Sequence, residues 1–240
     1  MRSMGFIMAA ALLLPPSGGT AQESTAPQSG SAADTLSAGR NSWGVDIMAS
    51  NGGFGAGIFF RHELTPDLSW FATLSVAEAK DDREMERIDP WTGLTYTPGK
   101  LSRFLVLPLV GGIQYRLFRE DIVETFRPFV SAAIGPTIVY AMPYQTLTPG
   151  TGGYVGVEQV DFFKAIGRGQ AHHTVGGYVG FGAHFGAERG NVLSVNFRYY
   201  VVHLLSGSLP STFNQYTGEI AGTKTEFGGV AITVSFGSTF

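Results

Sequence analysis

Apolar side chains alternate with small or polar ones along most of the chain after Trp43, and residues 230–240 show the pattern most clearly. A period of two places alternate residues on opposite faces of a β-strand. One face of this last segment carries Val230, Ile232, Val234, Phe236 and Phe240, and the other carries Ala231, Thr233, Ser235, Gly237 and Thr239. Such a strand fits a soluble sandwich, whose apolar face meets a core, or a membrane barrel, whose apolar face meets lipid.

Seven earlier segments repeat the alternation, so the pattern predicts an all-β chain with eight strands. Their apolar faces are Trp43, Val45 and Ile47; Phe54, Ala56, Ile58 and Phe60; Trp70, Ala72, Leu74 and Val76; Leu105, Leu107, Leu109, Ile113 and Tyr115; Val130, Ala132, Ile134, Ile138 and Tyr140; Val175, Val179, Phe181 and Phe185; and Leu193, Val195, Phe197, Tyr199 and Val201. Each segment is near or above the roughly 9 to 11 residues that a tilted strand needs to cross a bilayer.

The links between these segments alternate in length. Residues 64–68, 118–125 and 187–191 form short links, whereas 80–100, 142–173 and 206–226 form long ones. The first link, 50–53, is short but falls on the side of the long ones. Short periplasmic turns and longer outer loops are typical of antiparallel barrels in the bacterial outer membrane. With an even strand count, both termini are expected on the periplasmic side.

The placement of charge favours the membrane barrel over the sandwich. All four lysines (Lys80, Lys100, Lys164 and Lys224) fall in or beside the long links. A charge on the lipid face near mid-bilayer costs about 2–4 kcal/mol, so barrel strands exclude lysine from that face. Charges within the strands fall mostly on the small-residue face. Pro108 and Pro136 cannot donate to a ladder, so we expect bulges or local pairing gaps at them.

Composition narrows the function classes. Only 15% of residues are charged, against about 25% in a typical soluble domain, and the chain has 33 glycines, no cysteine and a net charge of −3. The absence of cysteine excludes disulfides, thiolate metal sites and a cysteine nucleophile. The weak net charge gives no indication of nucleic-acid binding. No cofactor is expected.

The first 21 residues have the pattern of a signal peptide. A basic residue, Arg2, precedes the apolar run Met4–Leu14, and small residues follow at Gly19–Ala21. The run is too short for a membrane-spanning helix, which needs roughly 20 residues. Residues 22–41 are small and polar and predict a flexible leader. The expected organisation is therefore a signal peptide at 1–21, a leader at 22–41 and a barrel at 42–240.

The chain resembles the small outer-membrane barrels of the OmpA and OmpX type. The resemblance rests on the signal peptide, the eight alternating segments, Phe-Arg-Pro-Phe at 126–129, Leu-Pro-Leu at 107–109 and the Val-Ser-Phe-Gly-Ser-Thr-Phe ending at 240. It implies an eight-stranded antiparallel up-and-down transmembrane β-barrel in the outer membrane. It further implies that Phe240 belongs to the signal read by the barrel assembly machinery. Cell-wall attachment through a following peptidoglycan-binding domain is not expected.

Polar side chains on the small-residue face are expected to line the lumen as a structural network. Its predicted members are Asp46, Arg61, Glu63, Gln114, Arg116, Arg127, His184, Asn196 and Arg198. An eight-stranded barrel is just wide enough for side chains to fill, so buried charges there should pair or meet water. The alternative is a narrow, porin-like channel for small solutes.

Two histidine-containing stretches are candidates for other chemistry. His172-His173 ends the link 142–173, but adjacent strand residues face opposite ways, so no metal site is expected there. His203 with Ser206, Ser208 and Glu226 could form a lipid A-modifying acyl hydrolase. Ser206 has the wrong parity relative to His203 for one strand face, so no catalytic residue is assigned.

The sequence therefore predicts a non-enzymatic barrel that contributes to membrane integrity, to binding at its surface loops, or to both. Its expected partners are outer-membrane lipids and lipopolysaccharide, and a possible extracellular ligand at loops 80–100, 142–173 and 206–226. Aromatic residues in these loops fit a binding surface or, alternatively, an aromatic girdle or loop self-packing. They are Trp91, Tyr144, Tyr154, Phe162 and Phe163.

Overall fold

A computed structural model describes residues 40–80, 87–88, 90, 93, 95–119, 122, 125–149, 155–186, 191–205, 207–214, 217 and 219–240. The predicted signal peptide and nearly all of the predicted leader lie outside the described residues, as do Trp91, Tyr154 and Ser206. Within the described part of the chain, no helix has the length and apolar character needed to cross a bilayer.

Fourteen β-strands and one short helix are found along the described chain. They are β1 (Asn41–Ser50), β2 (Gly53–Glu63), β3 (Leu68–Ala79), β4 (Arg87–Ile88), β5 (Thr95–Tyr96), β6 (Ser102–Arg116), β7 (Phe126–Pro143), β8 (Gln145–Pro149), β9 (Val155–Gln159), α1 (Phe162–Ile166), β10 (Gln170–Phe185), β11 (Asn191–His203), β12 (Leu209–Phe213), β13 (Ile220–Lys224) and β14 (Glu226–Thr239).

Eight long strands form a closed barrel in the order β1-β14-β11-β10-β7-β6-β3-β2. Every neighbouring pair is antiparallel, and each strand pairs with the next long strand along the chain, so the topology is up-and-down. Pairing of β1 with β14, from Ser42↔Thr239 to Ser50↔Ala231, closes the barrel. At this seam Gly44 lies opposite Gly237, and a Cβ on Gly44 would collide with the carbonyl of Phe236. The predicted fold class is therefore confirmed.

The first strand begins earlier than predicted. Asn41, which the sequence assigned to the leader, belongs to β1 and exchanges backbone hydrogen bonds with Phe240 at 3.2 and 2.9 Å. Arg40 also adjoins the barrel, since its carbonyl accepts the Glu63 N–H at 2.9 Å. Closure with the last strand therefore includes Asn41 in β1, one residue before the predicted start of the barrel.

The prolines interrupt pairing without shifting its register. Between β3 and β6 the ladder runs to Leu74↔Leu109 and resumes at Ala77↔Val106. Between β6 and β7 it runs to Pro108↔Thr137 and resumes at Gly111↔Ile134. The expected pairing gaps are confirmed, while the alternative of a bulge is not observed at these positions.

The two ends of the barrel differ in their connections. Short turns and both ends of the barrel segment lie at one end, which we call the terminal end. Three of the four connections at the other end, the loop end, are long, and they carry the hairpins β4-β5, β8-β9 and β12-β13. The loops predicted at 80–100, 142–173 and 206–226 are therefore partly folded, because their own polar segments pair as two-stranded sheets.

Candidate functional site

An apolar belt surrounds the outside of the barrel. The predicted apolar faces of all eight barrel strands point outward, and many of their side chains are exposed, including Ile47, Ile58, Leu109, Ile113, Ile134, Val179, Phe181, Tyr199, Val230 and Ile232. On β11 the belt runs from Leu193 to Val201, which is about 26 Å along an extended strand. Soluble monomers rarely expose continuous apolar patches of more than a few hundred Å². A belt that surrounds the whole barrel is therefore expected to contact hydrocarbon rather than water.

Aromatic side chains border the belt at the terminal end. Trp43 is 58% exposed, Trp70 39% and Tyr115 51%, and Phe126 and Phe185 pack together with ring centroids 5.6 Å apart. At the loop end the outward positions change to charged or polar residues, among them Arg103 and His203. This succession of aromatic border, apolar band and polar rim is the pattern found at the two interfaces of a bilayer.

The middle of the barrel interior contains a buried ion pair. Arg198 on β11 lies with its Nη1 atom 3.1 Å from Oδ2 of Asp46 on β1, and the two side chains are 6% and 0% exposed. The same guanidinium donates to the hydroxyl of Tyr200 at 3.1 Å and lies 4.9 Å from the ring centre of Tyr178. Asn196 is also buried beside this pair. Because both charges are removed from water, loss of one partner leaves the other buried without compensation and strongly destabilises the fold.

A second polar group lies closer to the terminal end, around His184. Its Nε2 atom lies 2.7 Å from Nε2 of Gln114 and 3.2 Å from Nη1 of Arg61. The imidazole stacks on Phe129 with ring centroids 4.4 Å apart. Arg116 and Arg127 line the same small cavity, whose volume is about 50 Å³. Three arginines, a histidine and an amide therefore converge on the terminal mouth of the lumen.

Glu63 is placed differently from the other predicted network members. It borders the terminal mouth, and its carboxylate lies 3.8 Å from Nε of Arg40, a residue that the sequence assigned to the leader. Asp67, which was not among the predicted residues, also borders this mouth and lies 3.8 Å from Arg119. The position of Asp67 in the turn before β3 was a signal that could have suggested it, whereas the partners of Glu63 and Asp67, Arg40 and Arg119, lie outside the barrel strands.

Above the ion pair, towards the loop end, the interior becomes apolar. Phe71, Val110, Ala133 and Tyr178 form a buried cluster with Tyr200 against it. A cavity of about 80 Å³ follows, bordered by side chains such as Met48, Val106 and Val202. A second cluster then fills the barrel: Phe104, Val106, Val139, Val202, Leu204 and Phe227. Each member of this second cluster is at most 8% exposed.

These layers of side chains occupy the interior between the terminal mouth and the loop end. Cavities of about 10, 50 and 80 Å³ lie among them. Segments at the loop end add further cover, since the N–H of Leu101 donates to the Ser211 carbonyl and that of Phe213 to the Gly99 carbonyl, both at 2.8 Å. Ser211 is 0% exposed. Buried side chains therefore fill much of the interior in the part of the chain that the structure describes.

His203 forms one contact that the sequence left open. Its Nδ1 atom lies 3.4 Å from Oε1 of Glu226, its direct partner on β14, and the side chains are 56% and 75% exposed. Pairing of β11 with β14 therefore places the carboxylate of Glu226 beside the imidazole of His203. Ser208 is exposed, and among the described residues no hydrogen bond joins it to His203.

The paired histidines lie in a strand and not in a loop. His172 and His173 belong to β10 and pair with Val139 and Ile138 of β7, so the predicted loop position was wrong. The reason is that the ladder between β7 and β10 continues as far as Gln170↔Ala141. Among the described residues no group of three or more potential metal-binding side chains is found.

The predicted loop aromatics separate into two kinds. Tyr144 is 8% exposed, with the guanidinium of Arg103 4.6 Å from its ring centre, which agrees with the alternative of loop self-packing at this position. Phe162 and Phe163 are 42% and 81% exposed on α1. The difference arises because the chain returns over Tyr144, where the N–H of Val160 donates to the Tyr144 carbonyl at 3.0 Å.

No family model and no curated protein sequence matches the chain. Solved structures similar to it include the N-terminal β-barrel domain of Pseudomonas aeruginosa OprF, with 13% identity, a TM-score of 0.37 and coverage of 84% of this chain and 99% of that chain. The neisserial surface protein NspA has 13% identity and a TM-score of 0.36 over 84% and 94% of the two chains. The attachment invasion locus protein Ail of Yersinia pestis has 11% identity and a TM-score of 0.39 over 84% and 97%.

The strand order, the antiparallel pairing and the closure of β1 on β14 are properties of this chain's own structure. They give the closed, eight-stranded, up-and-down barrel that the sequence indicated by its resemblance to small outer-membrane barrels.

Proposed function

We propose that this protein is a non-enzymatic integral barrel of the bacterial outer membrane that contributes to the mechanical and barrier integrity of that membrane. The observation that carries the proposal is the apolar belt, which leaves side chains such as Ile134 and Val179 68% and 60% exposed. A folded protein keeps such a belt only where hydrocarbon covers it. The termini then lie in the periplasm and the long loops outside the cell.

The filled interior supports a structural role over conduction. The apolar cluster around Phe104 and Phe227, whose rings meet edge-on at 5.0 Å, occupies the interior near the loop end and supports a closed lumen in this proposal. The buried polar groups on the terminal side of that cluster serve as a polar core, with Asp46 and Arg198 neutralising each other. Phe240 is the assembly signal in this proposal, and it is 69% exposed beside the closing seam.

Fractionation and heat-modifiability test the proposal together. The protein should sediment with outer membranes, resist extraction without detergent, and migrate differently on a gel before and after boiling. Refolded into planar bilayers, it should give no stable conductance. A protein that stays soluble without detergent would overturn the membrane proposal, whereas a steady conductance would overturn only the closed lumen.

The contact between His203 and Glu226 supports a second candidate, the hydrolysis of a lipid acyl chain. A histidine oriented by a carboxylate at the membrane rim is two thirds of a hydrolytic triad, and a serine nucleophile within reach of the histidine would complete it. The test is the acyl-chain profile of lipid A from cells with the normal protein and with His203→Ala. Identical profiles would remove this candidate, and a gain of one acyl chain in the variant would establish it.

A further inference from the structure

The helix α1 lies against the outside of the barrel wall. Met142 occupies an outward position on β7 but is only 1% exposed, because Val160 and Ala165 cover it. The outward side chains Leu105 and Tyr140 also contact this cluster. The hydroxyl of Tyr140 donates a hydrogen bond to the carbonyl of Ile166. The helix is therefore attached to the outer face rather than placed over the mouth of the barrel.

This position is the loop-end border of the apolar belt. Arg103, Leu105, Tyr140 and Met142, which face α1, are cross-strand neighbours on β6 and β7, with Arg103↔Met142 and Leu105↔Tyr140 in register. The next outward residues along β6 and β7 toward the terminal end, Leu107 and Ile138, already belong to the apolar face. The helix thus continues a surface that hydrocarbon covers.

The free side of α1 combines apolar and basic side chains. Phe163 is 81% exposed, Phe162 42% and Ile166 40%. Lys164 and Arg168 are exposed beside them. Segments that lie in a lipid interface have this combination, because aromatic side chains enter the acyl boundary while long basic side chains reach the phosphates.

Exposed groups of both signs lie beside the helix, Lys164 and Arg168 on one hand and Glu158 and Asp161 on the other. The carboxylate of Asp161 accepts the N–H of Phe163 at 3.0 Å and is engaged as the helix cap. Arg103 stacks on the rings of Tyr144 and Phe162, at 4.6 and 5.8 Å from their centres, and adds a third cation at the same border. Lipid phosphates at headgroup level complement such a group of cations.

We propose that α1 is an interfacial anchor that places Phe162 and Phe163 in the outer-leaflet interface and Lys164 and Arg168 against lipid phosphates. The proposal rests on the membrane location proposed above and specifies which segment contacts the headgroups. It gives α1 and the adjoining Arg168 a lipid partner, in place of a soluble ligand for this part of the loop end. The anchor would hold the barrel at a defined depth in the bilayer.

The absence of cysteine from the sequence allows single spin labels to measure depth directly. Gly167→Cys places a label at the end of α1 without removing an aromatic or basic side chain, and the nearest atom to its Cβ is 3.7 Å away. Val179→Cys reports the belt and Thr217→Cys reports an exposed loop position. Each variant is refolded into phosphatidylcholine vesicles containing phosphatidylglycerol, and its accessibility to oxygen and to a water-soluble nickel complex is compared.

The label at residue 167 should show a depth between those at 179 and 217, with nickel accessibility several-fold below that at 217. Lys164→Gln with Arg168→Gln, or Phe163→Ser, should move that label toward water. Arg87→Gln, an exposed arginine in another loop, should leave it unchanged. If the label at 167 is as accessible to nickel as the label at 217 while 179 remains protected, the anchor is wrong and the barrel proposal stands. Exposure of 179 to nickel would instead refute the membrane location.

Discussion

The two halves of the barrel interior are filled by opposite chemistries. Towards the terminal end the inward positions carry charge and amide groups, held around His184 and the Asp46–Arg198 pair. Towards the loop end the same alternation places Phe104, Val139 and Phe227 inward, almost completely buried. The same eight strands, with the same apolar outer face, enclose both halves. The difference in chemistry therefore lies in the inward side chains and not in what surrounds the barrel.

The two halves of the interior differ in how much they contribute to the free energy of folding. Buried charges contribute little net stability even when paired, whereas packed apolar side chains contribute through area removed from water. We therefore expect the half of the interior near the loop end to contribute most of the stabilisation that comes from interior packing. The terminal half tolerates polarity because every strand brings small residues that leave room for long side chains, as Gly180 and Gly182 do beside Arg198 and Phe129.

The two largest effects are expected in the interior, and the first of them comes from breaking the ion pair of the polar half. Asp46→Leu leaves the Arg198 guanidinium buried without its carboxylate, which should lower the free energy of unfolding by about 3–5 kcal/mol. Guanidinium unfolding of the protein refolded in lipid vesicles measures the change. The double variant Asp46→Leu/Arg198→Met should recover most of the loss, since it removes both charges. A single variant as stable as the original protein would show that Arg198 does not depend on Asp46.

The matching change in the apolar half is Phe104→Ala. Removing a fully buried aromatic side chain leaves a cavity and should cost about 3–5 kcal/mol in the same unfolding measurement. Here no second substitution of a neighbour, such as Phe227→Ala, should restore stability, in contrast with the ion pair. Rescue by that second substitution would mean that the two halves do not differ in the way proposed.

A third change compares the interior with the outer wall. Val179→Lys introduces a charge in the middle of the outward belt, where it should cost about 2–4 kcal/mol if lipid covers that position. Thr217→Lys, at an exposed loop position, serves as the control and should change stability by less than about 0.5 kcal/mol. Equal, small effects of the two substitutions would indicate that the belt faces water.

The smallest effect is expected from the exposed ion pair, which contrasts with the buried one. His203 and Glu226 are 3.4 Å apart but more than half exposed, so His203→Ala should change the free energy of unfolding by no more than about 1 kcal/mol. The comparison with Asp46→Leu is made under one set of vesicle conditions. A loss as large as that of Asp46→Leu would mean that the rim pair is shielded from water.

Much of the fold could be predicted because alternation with period two is a local property. Residues two apart share a face whatever the partner strand is, so the outward faces from Trp43 to Phe236 follow from the sequence directly. The pairing gaps at Pro108 and Pro136 follow equally, because a proline has no N–H to donate. The start of β1 at Asn41 was missed because closure with Phe240, at the other end of the chain, orders it.

The interior contacts were predictable only as a set of inward side chains. That Asp46 meets Arg198, while Glu63 turns to Arg40, depends on the stagger between strands around the closed barrel. The burial of Tyr144 and the attachment of α1 to the outer wall depend on how a long loop folds back, which alternation does not encode.

The sequence by itself determined that this chain forms eight alternating strands, and which side chains of those strands share the apolar face. The reason is that side-chain direction along a strand depends on position alone. Only the tertiary structure decided which inward side chains meet, that the two halves of the interior have opposite chemistry, and that α1 borders the belt. Those properties depend on distances between strands, which are set when the sheet closes on itself.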